Sequence, residues 1–188
     1  MVEEDAFHGV GGQSVIDLSL RSSHLSDGHL PALLSLTKLR SLDIAHNDRI
    51  TAVDRLIDAL PSLETLDASF SAISSFGRMP YVASSTLRDL NMVDNPLTDV
   101  AADAFVGLTA LEELRLDSAR LSLDNDSFAA QRSTLKTLSL KECNFTRPPW
   151  PSVAVLSTLE SLYMSKVDCD ITIIIIIIII VISRVLIA

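Results

Sequence analysis

Four histidines, two cysteines and 24 carboxylates are the side chains of this 188-residue chain with chemistry to offer. His8, His24, His29 and His46 share no metal-ligand spacing, and Cys143 and Cys169 lie far from them, so no metal centre is indicated. Gly9-Val10-Gly11-Gly12 has the glycines of a phosphate-cradling loop but neither the strand before it nor the G-x-G-x-x-G spacing, and reads as an insertion. The many Ser and Asp residues allow triads to be drawn anywhere, so none carries weight. No catalytic residue, metal or cofactor is expected. What recurs is acid. Asp43, Glu64, Asp67, Asp89, Asp94, Glu112, Glu113 and Asp117 stand against Arg40, Arg88 and Arg115, eight acids less three bases, an excess of five. The whole chain carries −9 at a pI near 4.7, which argues against nucleic acid as a partner and suits a basic protein or peptide.

The elements that hold these acids follow from one period. Val15, Leu39, Leu63, Leu87, Leu111, Leu135 and Leu159 are each 24 residues apart, and each opens an L-x-x-L-x-L-like stretch such as Leu87, Leu90 and Met92. The last two of these are two residues apart and share one face of an extended strand, whereas Asn91 and Val93 face the other way. Seven strands are expected, over 15–20, 39–44, 63–68, 87–92, 111–116, 135–140 and 159–164, stacked in one parallel sheet. The return half of each unit, as in Leu97, Val100, Phe105 and Leu108, is bulkier than a strand, so the stack bends with the sheet inside. Counting the first leucine as one, positions two, three, five, seven and eight project from the concave face. The candidate partner-binding residues there are Asp43, Glu64, Asp67, Phe70, Asp89, Val93, Asp94, Glu113 and Asp117, with Phe70 and Val93 as apolar contacts among the acids. Position nine faces backbone groups after the strand. Asn47 and Asn95 can satisfy them, Ser23, Ser71 and Cys143 less well, and Ala119 and Val167 not at all.

Residues 5–169 resemble the typical, 24-residue class of leucine-rich repeat proteins, as in receptor ectodomains. The segment from Leu97 to Val100 followed by Asp103-Ala104-Phe105-Val106-Gly107-Leu108 matches that class's signature. The resemblance implies an α/β solenoid, a horseshoe arc with a concave parallel β-sheet and convex loops and short helices, used for recognition and not for catalysis.

Three units divide the chain. Residues 1–14 read as a partial repeat, because Asp5-Ala6-Phe7-His8-Gly9-Val10 matches the return half of repeat four with no strand before it. A truncated array is the expectation there. Seven repeats fill 15–170, and an apolar, isoleucine-rich tail fills 171–188, 15 of its 18 residues apolar. That tail is marginal in length for a membrane span and equally suits an added strand or an aggregation-prone end. Irregular repeats stand out: Ala68 and Ser84 replace large residues in repeat three, Phe128 comes one place early with Arg132 at the late leucine position of repeat five, and Arg147-Pro148-Pro149-Trp150-Pro151 favours extended backbone. The segment 53–60 has helical spacing, and Trp150 is expected to pack under the convex wall. Two buried free thiols are expected at Cys143 and Cys169. Asn125 and Asn144 lie in N-x-[ST] sequons and are glycosylation candidates if the chain is secreted. The functional expectation is a non-catalytic protein-recognition module, a fragment of an extracellular or membrane-attached receptor-like protein. The alternatives are a cytosolic scaffold and a truncated, non-functional product.

Overall fold

The computed structural model describes residues 7, 14–77, 83–100, 103–121, 123, 126–145 and 148–166. In chain order its strands are β1 (Asp17–Ser19), β2 (Ser41–Asp43), β3 (Thr65–Asp67), β4 (Ser75–Phe76), β5 (Asp89–Asn91), β6 (Asp99–Val100), β7 (Glu113–Arg115), β8 (Arg120–Leu121), β9 (Thr137–Ser139), β10 (Asn144–Phe145) and β11 (Ser161–Tyr163). The helices are α1 (Leu30–Leu33), α2 (Asp54–Ala59) and α3 (Trp150–Ala154). One parallel sheet takes the order β1-β2-β3-β5-β7-β9-β11, one strand from each 24-residue unit. Its ladder holds only positions three to five, so the strands are half as long as the six residues expected. The register is strict: Leu18, Leu42, Leu66, Leu90, Leu114, Leu138 and Leu162 form one row.

That row is the inner wall of the core. Its five central leucines are at most 1% exposed, and Leu36, Leu39, Leu60, Leu63, Leu87, Leu108 and Leu111 are fully buried beside them. Phe76, Phe105 and Phe128 build the opposite wall, with ring centroids 5.5 Å apart at each step. The return segments are irregular because their job is to fill volume and not to extend a ladder. The segment 53–60 forms α2 as its spacing suggests, burying Leu56 and Ile57. β4 pairs with β6 and β8 with β10 in two short parallel ladders.

Two sequence expectations about the return segments are corrected. Trp150–Ala154 is helical, not extended, with Pro151 in its first turn. Proline is at home there, because its fixed φ suits a helix and its missing N–H would have no partner in that turn anyway. In repeat five Gln131, not Arg132, fills the late buried position: Gln131 is fully buried and Arg132 exposed. The early placement of Phe128 carries the next inward position with it. Gln131 satisfies the donor half of its amide from Nε2, to the carbonyls of Phe105 and Leu108, while among the described residues its buried Oε1 has no hydrogen-bond partner.

Position nine works as its residue types require. Asn47 Oδ1 accepts the N–H groups of Ser23 and Leu25, while its Nδ2 donates to the carbonyls of Leu20 and Ile44. Asn95 repeats the arrangement with the N–H of Ile73 and the carbonyls of Ala68 and Met92. Cys143 takes the same rung, donating Sγ–H to the Leu116 carbonyl at 3.2 Å. Ala119 offers nothing, but Asn95 on one side covers Met92 and Cys143 on the other covers Leu116, so neighbouring rungs supply what repeat five lacks. The partial repeat at 1–14, save Phe7 and Ser14, and Val167, Cys169 and the tail lie outside the described residues. Among the described residues no helix is long and apolar enough to cross a membrane.

Candidate functional site

An open cavity of about 270 Å³ lies on the sheet across repeats two to five. Position three supplies Ser41, Thr65 and Asp89 to its lining, and position five supplies Asp43, Asp67, Asn91 and Arg115. Three of the expected residues, Asp43, Asp67 and Asp89, therefore share one cavity. Ser41, Thr65 and Asn91 line it as well; neutral hydroxyls and amides on these rows carry no sequence signal that separates them from other solvent-facing positions.

Position five has a second duty. Oδ1 of Asp43 accepts the N–H of Ala45 at 3.0 Å, Oδ1 of Asp67 that of Ser69 at 2.9 Å, and Oδ1 of Asn91 that of Val93 at 3.1 Å. Each is a side-chain turn two residues long that closes the strand. Asp43 and Asp67 thus owe one oxygen to the backbone; Asp43 Oδ2 in addition accepts the Ser19 hydroxyl at 3.1 Å and Asp67 Oδ1 that of Ser69 at 2.6 Å, so neither carboxylate is neutralised by these neutral donors.

The acids are unevenly neutralised. Position two alternates in sign along the solenoid as Arg40, Glu64, Arg88, Glu112, Lys136 and Glu160. Arg40 lies 3.5 Å from Glu64, Arg88 pairs with Glu112, and Lys136 reaches Glu112 at 2.6 Å. The hydrogen bonds from Lys136 and Arg88 hold the Glu112 carboxyl below its ordinary range. Glu64 is thereby committed to a neighbour along this row. Arg115 is held between Asp89 at 3.0 Å and Glu113 at 2.5 Å, bridging two like charges on adjacent strands. Burial pushes the Asp89 carboxyl up, with Arg115 opposing. Asp43 and Asp67 are also direct neighbours in the ladder, yet no base sits between them: Arg21 stands 3.9 Å from Asp43, and Asp67 has no ion pair among the described residues. Asp94 and Asp117 also lack one, although Asp117 accepts the N–H of Lys141.

Position eight forms a further row along one edge of the sheet. Ser22, His46, Phe70, Asp94, Ser118, Glu142 and Lys166 all have φ between 53° and 66°, the left-handed region, and none is glycine. What holds them is a repeated hydrogen bond, from each position-eight N–H to the position-seven carbonyl of the next repeat, 2.7–3.1 Å long from Ser22 through Glu142. His46 and Phe70 stack with centroids 4.4 Å apart and planes 6° from parallel. Phe70 remains 45% exposed, and Val93 is half-buried beside the groove. Asn144 is exposed, whereas Asn125 lies outside the described residues. Trp150 is half-buried. Among the described residues no group of His, Cys, Asp and Glu is arranged to hold a metal ion.

The comparisons agree with the fold. A family model described as "Leucine Rich repeat" matches residues 35–54 and 83–106. The structure is similar to that of an internalin (inlF) from Listeria monocytogenes str. 4b F2365, with TM-score 0.69 and 22% identity over 85% of this chain and 44% of that one. An internalin C2 (inlC2) from the same strain gives 0.67 and 20%, over 91% and 69% respectively. TLR13, solved as a TLR13–ssRNA13 complex, gives 0.62 and 21%, over 88% and 27%. This chain thus spans less than half the length of two of these three proteins. No curated protein sequence matches it. With seven 24-residue units, one parallel sheet and these matches, the chain has the leucine-rich repeat fold.

Proposed function

We propose that the chain is a non-catalytic recognition module that binds a basic protein or peptide across the concave faces of repeats two to five. The observation that carries this reading is the Asp43–Asp67 pair. Two carboxylates one strand spacing apart, about 4.8 Å, repel each other; within the same cavity lining Arg115 compensates the third acid, Asp89, but no base stands beside these two, and the nearest, Arg21, lies outside the lining at 3.9 Å from Asp43. A cationic side chain entering the groove relieves that repulsion. The wider placement is a part of an extracellular or membrane-attached receptor-like protein, in keeping with its resemblance to the 24-residue class. A cytosolic scaffold is the second reading, favoured by the free, buried thiol of Cys143, which suits a reducing compartment.

The test is titration of a fluorescein-labelled hexalysine peptide against the full chain. Neutralising Asp67, Asp89 and Glu113 to Asn, Asn and Gln preserves the turn acceptor at position 67, which charge reversal would destroy. The expected result is at least tenfold weaker binding in the triple variant, and a steep loss of affinity for the wild type between 50 and about 300 mM salt, since exposed charges are screened beyond about 8 Å at physiological ionic strength. Equal affinity before and after the triple change would remove the concave acidic site and turn attention to the convex side around Trp150.

A further inference from the structure

The position-eight row brings together an exposed aromatic plate and a carboxylate with no ion pair among the described residues. His46, Phe70 and Asp94 are consecutive rungs, each tied to the next repeat by the same backbone hydrogen bond. The stack of His46 on Phe70, 4.4 Å apart and nearly parallel, shows that side chains on this row lie over one another at about the strand spacing. One face of the Phe70 ring is therefore covered by His46. The other is turned toward the rung of Asp94, whose side chain is much shorter than a phenylalanine's. The outer part of the Phe70 ring on that side has no covering rung, consistent with its 45% exposure. Asp94 is exposed and, among the described residues, has no ion-pair partner.

We infer that Phe70 and Asp94 form a seat for an arginine side chain of the basic partner, its guanidinium stacked on the free face of Phe70 as the third plate of the His46–Phe70 pile. This rests on the concave-face reading above and sharpens it from a basic partner to an arginine-bearing one. A guanidinium is flat, weakly hydrated and able to stack on an aromatic face while its edge donates two hydrogen bonds to a carboxylate lying in its plane. The Asp94 rung lies at the level that such a plate occupies. A lysine ammonium is compact and strongly hydrated, and it gains the charge attraction of Asp43, Asp67 and Asp94 without the stacking. The field of the groove draws both; the aromatic rung separates them.

The experiment compares hexaarginine with hexalysine, both fluorescein-labelled, on the wild-type full chain, Phe70→Leu, Phe70→Tyr and Asp94→Asn. A cation–π contact at an exposed site is worth about two- to fivefold in affinity. The wild type should prefer hexaarginine by at least that factor. Phe70→Leu, which keeps an apolar side chain but removes the ring face, should lower the preference several-fold by weakening hexaarginine more than hexalysine. Phe70→Tyr should retain it. Asp94→Asn provides the same test at a polar, exposed position and should also lower the preference; it decides the matter if Phe70→Leu fails to fold, judged by circular dichroism. A preference for arginine that survives both Phe70→Leu and Asp94→Asn overturns the seat, and if hexalysine binding still falls in the triple acid variant, the concave reading stands without it. Absence of binding by either peptide overturns both.

Discussion

At the level of single residues, burial decides which reactive groups are available. Cys143 is 1% exposed and its thiol is pushed up to about 11, first by desolvation, with backbone N–H groups of Ala119 and Ser118 opposing. Reaction needs the thiolate. In a Cys169→Ser variant, iodoacetamide at pH 8 should leave Cys143 unmodified in the folded protein and alkylate it fully in denaturant, as mass spectrometry would show. The same shift sets a pH dependence. The folded thiol keeps its proton above the pH at which the unfolded one, near 9.0, loses it. This contribution to stability is complete below about pH 9 and is lost as pH rises toward 11. Cys143→Ala should flatten that alkaline decline in urea-unfolding curves; an unchanged slope between pH 9 and 11 would assign the decline to other groups. Gly77 is constrained more tightly. It has φ +78°, and a Cβ there would strike the Cα and Cβ of Ala104. Gly77→Ala should cost about 2–5 kcal/mol, combining left-handed strain with overpacking. The first of these features was readable in advance, since position nine marks Cys143 as inward. The second was not, because Gly77 meets Ala104 only through the stacking of neighbouring repeats.

At the level of elements, the period placed all seven strands and their order, because a two-residue alternation on a fixed 24-residue step leaves one register that buries every leucine. It failed where position is set by neighbours and not by type. Counting 24 residues puts the charged Arg132 at the late position, but the 3₁₀ turn Ala129–Gln131 that follows Phe128 brings the neutral Gln131 inside instead, sparing the burial of a guanidinium. Three prolines in Arg147–Pro151 suggested extension, but Pro149 caps α3 and Pro151 lies in its first turn. The position-eight row was hidden for a different reason. Left-handed backbone is normally advertised by glycine or asparagine, and here Ser, His, Phe, Asp, Ser, Glu and Lys occupy it. The rung is imposed by hydrogen bonds between repeats and not by local preference. That leaves strain to relieve. Ser118 is exposed at φ 66°, with its N–H held 2.8 Å from the Lys141 carbonyl. Ser118→Gly removes about 1–2 kcal/mol of left-handed cost and adds about 0.5–1 kcal/mol of chain entropy. A net gain of about 0.5–1 kcal/mol is expected, seen as a melting temperature higher by about 1–4 °C. A fall in melting temperature would show that this rung is unstrained.

At the level of the whole molecule, stability is a sum over repeats and the interfaces between them. The two ends are the weak terms: Leu18 and Leu162 are half-buried, while their five counterparts in β2, β3, β5, β7 and β9 are sealed. Amide exchange should therefore be fastest in β1 and β11 and slowest in β5 and β7. The middle is coupled through two walls. On the sheet side the coupling is the leucine row, where Leu114→Ala should cost about 2–5 kcal/mol as a cavity. On the outer side it is the phenylalanine row, and Phe105 is its keystone, since it alone touches both Phe76 of repeat three and Phe128 of repeat five. Phe105→Ala empties a site with no exposure and breaks both ring contacts, so about 3–5 kcal/mol should be lost. The more telling effect concerns cooperativity. Repeats communicate only with their neighbours, so weakening the two interfaces around repeat four should let the N-terminal and C-terminal halves unfold separately. Urea unfolding of Phe105→Ala, followed by Trp150 fluorescence for repeat six and by circular dichroism for the whole chain, should give two midpoints where the wild type gives one. Leu114→Ala is the control of similar cost on the sheet wall, where continuous backbone ladders still join the halves. Coincident midpoints in Phe105→Ala would mean that the sheet alone carries the coupling and that the phenylalanine row only fills space.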